Sequence, residues 1–436
     1  MLGAALVALW VGRVEATDAA ADAAFGFLAH QQDLDPAHLQ EPRFLQSYAR
    51  TACAPEGALN AAHVYDQALA LLAFLARGTP DDLRRAEPIA QALVEAQSQD
   101  RTFKDGRLRN AYASGALLDP ACHCARLPGT WNTQANAWWE DEYAAGTDTG
   151  NMAWAGIALV QARALLPPRD GDPSLQAARR LAQWIVSTQR DNDGLGGFRG
   201  GLEGFEAAPG NPAGQHASTW RSTEHNIDLV AFFRLLAAAT GLQTAEGLTW
   251  TEQAHHAAGF VESVRNKAEG YLSTGTAPAS SKIIDKPIPL DAQTLPVLGL
   301  GNAKIYESAL DWALANCRAT GFAAAFDFNC KDGDGAWWEG TAQMAAALKQ
   351  LGRAREAAPL LHALQAAQVH RGAAVGALPA ASRCDLTTGF TKTWTSGKTT
   401  PWLYSANAHV GATAWFIFAT LDANPYHLPK GTYALP

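Results

Sequence analysis

Carboxylates recur in this chain at one kind of place. Tyr65-Asp66-Gln67 opens an Ala/Leu-rich run, and Thr147-Asp148-Thr149-Gly150-Asn151 opens another. Ser222-Thr223-Glu224-His225-Asn226-Ile227-Asp228, Pro289-Leu290-Asp291-Ala292-Gln293 and Trp337-Trp338-Glu339-Gly340-Thr341 do the same. A sixth run follows Tyr404-Ser405-Ala406-Asn407-Ala408-His409, which offers a histidine in place of an acid. Carboxyl groups gathered in one concave site push their pKa values apart, so that one donates a proton while another accepts one. The plainer reading is structural: acidic residues at helix starts cap free N–H groups and complement the helix dipole. Chemistry is favoured by the apolar character of the runs that follow, and by flanking Trp, Tyr, His and Asn in place of Lys and Ser.

The runs read as helices. Apolar residues recur at i, i+3 and i+4 nearly throughout, and Val/Ile/Thr alternation of the strand type is almost absent. The pattern predicts twelve helices, at about 17–31, 61–77, 81–97, 150–165, 174–189, 224–240, 249–267, 290–300, 302–317, 338–351, 354–368 and 408–421. Short turns such as Gly78-Thr79-Pro80-Asp81 and Leu351-Gly352-Arg353 alternate with long Gly-, Trp- and Asp-rich connections at 98–149, 190–223, 268–289, 318–337 and 369–407. A ring of hairpins in two layers explains that alternation, with the long connections on one face and the last helix returning to the first. Helices that follow a long connection are almost uncharged, as in Val410-Gly411-Ala412-Thr413-Ala414-Trp415-Phe416-Ile417-Phe418, so they belong inside. Helices that precede one show a polar face, as 81–97 does with Asp82, Arg84, Arg85 and Glu87, and belong outside.

This alternation resembles the (α/α)6 toroid of the six-hairpin glycosidases and their relatives, which include sugar epimerases and some polysaccharide lyases. The resemblance spans almost the whole chain and is architectural, with no family catalytic motif matched. It implies an all-α fold, one domain over 17–436, and a carbohydrate-active enzyme, foremost a glycoside hydrolase of the inverting kind acting on an oligo- or polysaccharide. Such cleavage needs one carboxylic acid to protonate the leaving oxygen and a carboxylate to activate water, about 6.5–9.5 Å apart. Glu224 and Glu339 are the expected pair because Glu has the reach and both stand in the densest polar-aromatic signatures; Asp148 is the reserve base. Tyr65, Asp66, Asp291, His225, Asn226, Asp228 and His409 are expected to bind hydroxyls. Trp139, Trp220, Trp338 and Trp402 are expected to stack on sugar faces.

Three alternatives stay open. His225 and His409 suit a sugar epimerase or isomerase that moves protons at a ring-opened carbon. A uronate lyase would need a cation for the substrate carboxylate, and Arg221 is the candidate. A non-catalytic glycan-binding or assembly protein would keep the cleft alone.

The rest of the sequence mostly excludes. The net charge of −8, with no basic run, argues against nucleic acid. Beyond the amino terminus no apolar window reaches the roughly 20 residues of a membrane span. Leu2–Gly12 and the small residues near Val14-Glu15-Ala16 fit either a clipped signal segment over 1–16 or a first helix. Six cysteines, an even number, suit an oxidising compartment and export. Cys122-His123-Cys124 reads as loop cysteines bridged to other loops before it reads as zinc. Asp191-Asn192-Asp193-Gly194 and Asp332-Gly333-Asp334-Gly335 read as turns, since neither completes a calcium loop. Residues 189–198 faintly resemble the Gln/Gly-aromatic repeats of terpenoid cyclases, without their aspartate run. No motif calls for a metal or a cofactor.

Overall fold

The computed structural model describes residues 19–35, 39–53, 60–132, 137–139, 142–205, 214–240, 244–245, 248–394 and 396–429. Among them are α1 (19–32), α2 (Val64–Arg77), α3 (Pro80–Gln99), the single turn α4 (Glu142–Ala145), α5 (Thr149–Leu165), α6 (Pro173–Gln189), α7 (Thr223–Thr240), α8 (Trp250–Ser263), α9 (Asp291–Gly299), α10 (Glu307–Asn316), α11 (Trp338–Gln350), α12 (Ala354–Ala367) and α13 (Val410–Leu421). The possible signal segment at 1–16 lies outside the described residues.

Six of these helices are apolar nearly all round. α5 is buried from Thr149 to Ala162 and α13 from Val410 to Ala419. They touch in a cycle: α2 packs on α5, α5 on α7, α7 on α9, α9 on α11, α11 on α13, and α13 returns to α2. α3, α6, α8, α10 and α12 each pack against the helix before them and keep a polar face outward. Turn chemistry makes these pairs. Gly78 ends α2 in the left-handed region (φ +64°), and the Thr79/Asp82 capping box with Pro80 starts α3 at once. α1 joins through Phe25, whose ring lies 6.1 Å from Phe74 of α2, and through Gln368 Nε2, which donates to the Ala20 carbonyl.

The purely helical expectation needs correction. Short antiparallel strands occupy the long connections, and they are cyclic too. Ala61–His63, just before α2, pairs with Ala111–Ala113 of the next connection. Thr147–Asp148 before α5 pairs with the Gly201–Glu203 strand, and Arg221–Ser222 before α7 with Gly275–Thr276. Single bridges, Pro289 to Asn329 and Trp337 to Ala381, continue the series before α9 and α11. Ala408–His409 before α13 pairs with Tyr48–Ala49 and closes it. Segments of two or three residues show no alternation to read, which is why helical periodicity is seen to run on through 61–63 and 408–409. The close approach demands glycine at two of these pairs. A Cβ on Gly201 (φ +134°) would sit 2.1 Å from the Thr147 carbonyl oxygen, and one on Gly275 (φ +145°) 1.8 Å from that of Arg221.

A second cyclic device fixes each long connection to the helix it enters. Inside the first turns of the six buried helices, Gln67, Met152, Asn226, Gln293, Thr341 and Thr413 accept the backbone N–H of Leu45, Leu108, Phe198, Leu272, Phe326 and Leu378 respectively, at 2.7–3.3 Å. Gln67, Asn226 and Gln293 also donate to the carbonyl of the same residue. All six clamped residues are fully buried, so these bonds satisfy amides that water cannot reach.

Candidate active site

The strand collar and the clamps bring six helix N-termini to one face, four of them with an acid in the first turn (Asp66, Glu224, Asp291, Glu339), α5 with Asp148 just before it and α13 with His409. Asp291 accepts the Ala292 N–H at 2.6 Å, as a first-turn acid does, but capping does not account for the set. Asp148 occupies an N-cap position yet makes no side-chain cap bond, and the N-caps of α2, α9 and α11 make none either. His409 is the exception: its Nδ1 accepts the Ala412 N–H at 3.2 Å, which leaves Nε2 carrying the proton and facing Asp66.

One cluster is built around Glu339. Tyr65 Oη donates to Glu339 Oε1 at 2.6 Å, and Trp415 Nε1 donates to Tyr65 Oη at 2.9 Å. His409 stands between two acids, with Nε2 3.1 Å from Asp66 Oδ1 and Nδ1 3.7 Å from Glu339 Oε2. The Tyr48 ring stacks on the imidazole at 4.3 Å. Gly411 lies beneath all three groups. A Cβ there would stand 2.7 Å from Asp66 Oδ1, 2.8 Å from His409 Cε1 and 3.1 Å from Glu339 Oε2, so only glycine lets them meet.

Glu224 faces this cluster from α7. Burial, and then the charges of Asp291, Asp228, Glu339 and Asp148 in that order, push its carboxyl well above the usual range. Burial also raises Asp291 to about 7, with Glu339 adding repulsion against the Ala292 N–H bond. Asp148 reaches about 7 through burial and Glu203, opposed by Asn110 and Lys392. Burial lifts Glu339 to about 7 against the pull of His409 and the Tyr65 hydroxyl. Asp66 alone of this group is depressed: burial opposes it, but His409, His63 and Ser47 outweigh burial. The two histidines split likewise. Burial drops His225 to about 4, whereas Asp66 and Glu339 overcome burial and hold His409 above its usual value. Such a set contains both a proton donor and a proton acceptor near neutral pH.

Several expected binders are engaged elsewhere. Asn226 gives its whole amide to the backbone, clamping Phe198 and donating to the Ser222 carbonyl at 2.8 Å, so it has nothing left for a hydroxyl. Asp228 is fully buried and accepts from Tyr426 Oη at 2.6 Å beneath Glu224. Arg221 is a staple: it donates to the carbonyls of Asp193, Gly196 and Ser280 and to Thr276, which removes the cation a uronate lyase requires. Trp220 packs 5.4 Å from His225, and Trp402 5.1 Å from Tyr143, whose hydroxyl receives Asn151 Nδ2 at 3.3 Å. Trp338 packs edge-on against Phe322 under the 318–337 connection. The side chain of Trp139 lies outside the described residues. Tyr48, Tyr143 and Trp415 are additions that the sequence does not single out, as is Gln343, whose Nε2 lies 3.5 Å from Glu339 Oε1. Trp415 reads there as core, and it is core, but its indole N–H reaches the site.

The cysteines pair as Cys53–Cys384, Cys122–Cys124 and Cys317–Cys330. Cys122 therefore bridges within its own loop and not to another. Among the described residues, one acidic trio brings oxygens within 4.8 Å of one another, Asp327, Asp332 and Asp334, a donor set suited to a hard cation. Asp327 already accepts the N–H groups of Phe328 and Asp334 at 2.7 Å each, as a folded turn requires. Asp191 likewise closes its own turn on Asp193 and holds Arg199.

No family model matches the chain, nor does the sequence of any curated protein. Solved structures do. A cellobiose 2-epimerase from Bacillus thermoamylovorans superposes with a TM-score of 0.58 at 10% identity, over 90% of this chain and 95% of that one. A variant glycosidase in complex with glucose gives 0.61 at 11%, over 96% and 99%. A D-mannose isomerase gives 0.61 at 10%, over 93% and 96%. The architecture is thus similar to that of (α/α)6 toroid enzymes. At these identities the likeness shows the fold alone.

Proposed function

We propose that the chain is a single ring of six helical hairpins that hydrolyses glycosidic bonds in the chamber at its carboxylate face. The observation that carries this reading is the convergence of carboxyls: Glu224, itself partly buried, is raised by that burial and by Asp291, Asp228, Glu339 and Asp148, in a site whose Glu339 and Asp291 are only 4% and 5% exposed. Glu224 then serves as the acid that protonates the leaving oxygen. Glu339 serves as the base: its Oε1 accepts the Tyr65 hydroxyl, and the His409 ring, which Asp66 orients, lies 3.7 Å from its Oε2. A water between the two carboxylates is deprotonated by Glu339 and attacks the anomeric carbon with inversion. Asp148 is the reserve base, Asp291 and His225 bind hydroxyls, and Trp220 and Trp402 offer flat faces. Three disulfides, which pair all six cysteines, support work in an oxidising compartment.

The split between the histidines favours a second reading. His225, held low by burial, and His409, whose Nε2–H faces Asp66 and whose affinity for a proton is raised, form a base and an acid suited to epimerising or isomerising a free sugar, the activities of two of the fold neighbours. The test is incubation with linear glucans, mannans, xylans and their oligosaccharides in D2O, followed by chromatography and NMR. New reducing ends without carbon-bound deuterium establish hydrolysis, and the anomer first formed reads the stereochemistry. A sugar isomer of unchanged mass carrying deuterium establishes epimerisation and removes the hydrolase assignment.

A further inference from the structure

Counting the segment 33–63 between α1 and α2 as the first long connection makes 369–407 the sixth, and it does more than lead into α13. Its residues Leu386–Thr393 and Thr399–Tyr404 form a two-stranded hairpin. The outgoing strand visits the other connections in turn. Thr387 N donates to Asp334 Oδ2 at 3.0 Å in the fifth. Gly389 lies against Pro287 in the fourth, where a Cβ would come within 2.7 Å of the proline ring. Lys392 ion-pairs with Glu203 in the third. The returning strand sets Trp402 edge-on to Tyr143 of the second connection, 5.1 Å between ring centres. Its root is tied to the first connection by Cys53–Cys384. The hairpin therefore touches four of the other long connections, and its root is tied to the fifth.

The reach matches the opening. Six helices packed at about 8–10 Å between axes place opposite axes of the ring about 16–20 Å apart. Six residue steps, Leu386 to Lys392, cover at most about 20 Å when fully extended, and the register shift between Thr387 and Thr391, with Gly389 at φ +75°, shortens that reach. The connection carrying Glu203 enters α7, which stands third round the cycle from α2, while the hairpin precedes α13, the sixth. The hairpin thus crosses from one side of the mouth to the other. At its far end Lys392 pairs with Glu203, which stands on the strand that pairs with Thr147–Asp148, so the crossing ends beside Asp148 at the start of α5. The burial beneath is graded: Asp66, Glu339, Asp291 and His409 are all 5% exposed or less, whereas Glu224, His225 and Asp148 are partly buried, as at the floor and wall of a covered site.

We propose that this hairpin is a fixed bar that makes the chamber a dead-end pocket, so that the protein acts on chain ends or short oligosaccharides and not on the interior of polysaccharides. The proposal rests on the carbohydrate reading above and adds its mode of action. A groove that binds mid-chain needs two open ends, and the bar, stapled at both sides of the mouth, closes the path between them.

The experiment follows product size and viscosity together. Soluble linear glucans, mannans and xylans, and their di- to hexasaccharides, are incubated with the full chain. Expected are sugars of one or two units, or one altered terminal sugar, from the first time point, with viscosity falling only in proportion to the sugar lost. A rapid fall in viscosity with a ladder of long fragments overturns the bar while leaving the carbohydrate reading intact. Silence on every glycan overturns both. In a second arm, residues 389–400 are replaced by an Asn-Gly turn, with Lys392→Ala as the milder change if the shortened chain does not fold. The expected result is that internal cuts, absent from the wild type, become measurable. A folded, active shortened variant that still yields only terminal products overturns the assignment to the hairpin.

Discussion

Replacing Glu339 by Gln should raise stability and abolish turnover at the same time. The carboxyl is buried and its pKa stands at about 7 against a usual 4.5. A carboxyl raised by folding gives stability that is whole below 4.5 and is lost as pH rises through 7, because the folded chain must then hold a charge the unfolded chain holds more easily. At 1.36 kcal/mol per tenfold, the gap corresponds to about 3 kcal/mol at pH 8. Gln keeps an oxygen for the Tyr65 hydroxyl and carries no charge. With an unfolding entropy of about 2.1 cal/mol/K per residue, a chain of this length should melt about 3 °C higher than wild type at pH 8 and no higher at pH 4.5. Turnover should fall about 10²–10⁴-fold at every pH, the range for loss of a general base. The assay is a pair of melting curves by calorimetry at the two pH values beside initial rates. A variant that melts lower at pH 8 and keeps its activity would refute the reasoning, since it would show Glu339 to be a solvated first-turn acid that only complements the helix dipole.

Asp66→Asn should act in the opposite sense and in a bounded window. Asp66 is depressed, so its stabilisation is present above 3.8 and lost as pH falls through its folded value; His409 is raised, so its share is whole below 6.5 and lost as pH rises through its folded value. The melting-temperature deficit of the variant should therefore be largest near pH 5, and a deficit independent of pH would count against the pair. Gln67→Ala leaves the buried Leu45 N–H without an acceptor and should cost about 1–3 kcal/mol in urea unfolding, with activity on any substrate reduced less than by Glu339→Gln. Thiol titration of the unfolded, unreduced protein should find no free cysteine, and Cys53→Ser with Cys384→Ser should lower stability by about 2–5 kcal/mol; six titratable thiols would place the protein in a reducing compartment.

The helices were legible because burial leaves a strong mark on composition. α5 and α13 are uncharged along whole turns, and α3 is not. The ring was legible because connection lengths alternate. That Asp66, Glu224, Glu339 and His409 gather on one face could be expected from position, since each opens a helix too apolar to stand in water. The partners could not. Tyr48 stacks on His409 from a distance of hundreds of residues along the chain, and nothing local to Tyr48 marks it. Asn226 shows the opposite error: its neighbours Glu224 and His225 make it look chemical, yet one residue further round the helix its amide points at Phe198. The clamps are invisible in the sequence because Gln, Met, Asn and Thr all serve. What the position requires is an acceptor of the right reach, and that is set by how far the loop stands off. Arg221 misleads in the same way, since a guanidinium that staples four loop groups and one that awaits a carboxylate are spelled alike.

The collar of strand pairs has no first or last member. A linear array of repeats frays from its ends, because a terminal repeat has one neighbour to lose and opens at a fraction of the global cost. Here Tyr48–Ala49 holds Ala408–His409, so the beginning of the chain is the neighbour of its end and every pair has another on each side. Loosening any one pair must break contacts in both directions at once. Amide exchange across the six pairs should therefore share one opening free energy, near that of complete unfolding, despite strands only one to three residues long. Short ladders that would melt singly in water persist because they are links of a hoop, and the acids behind them inherit a placement that no single loop could hold.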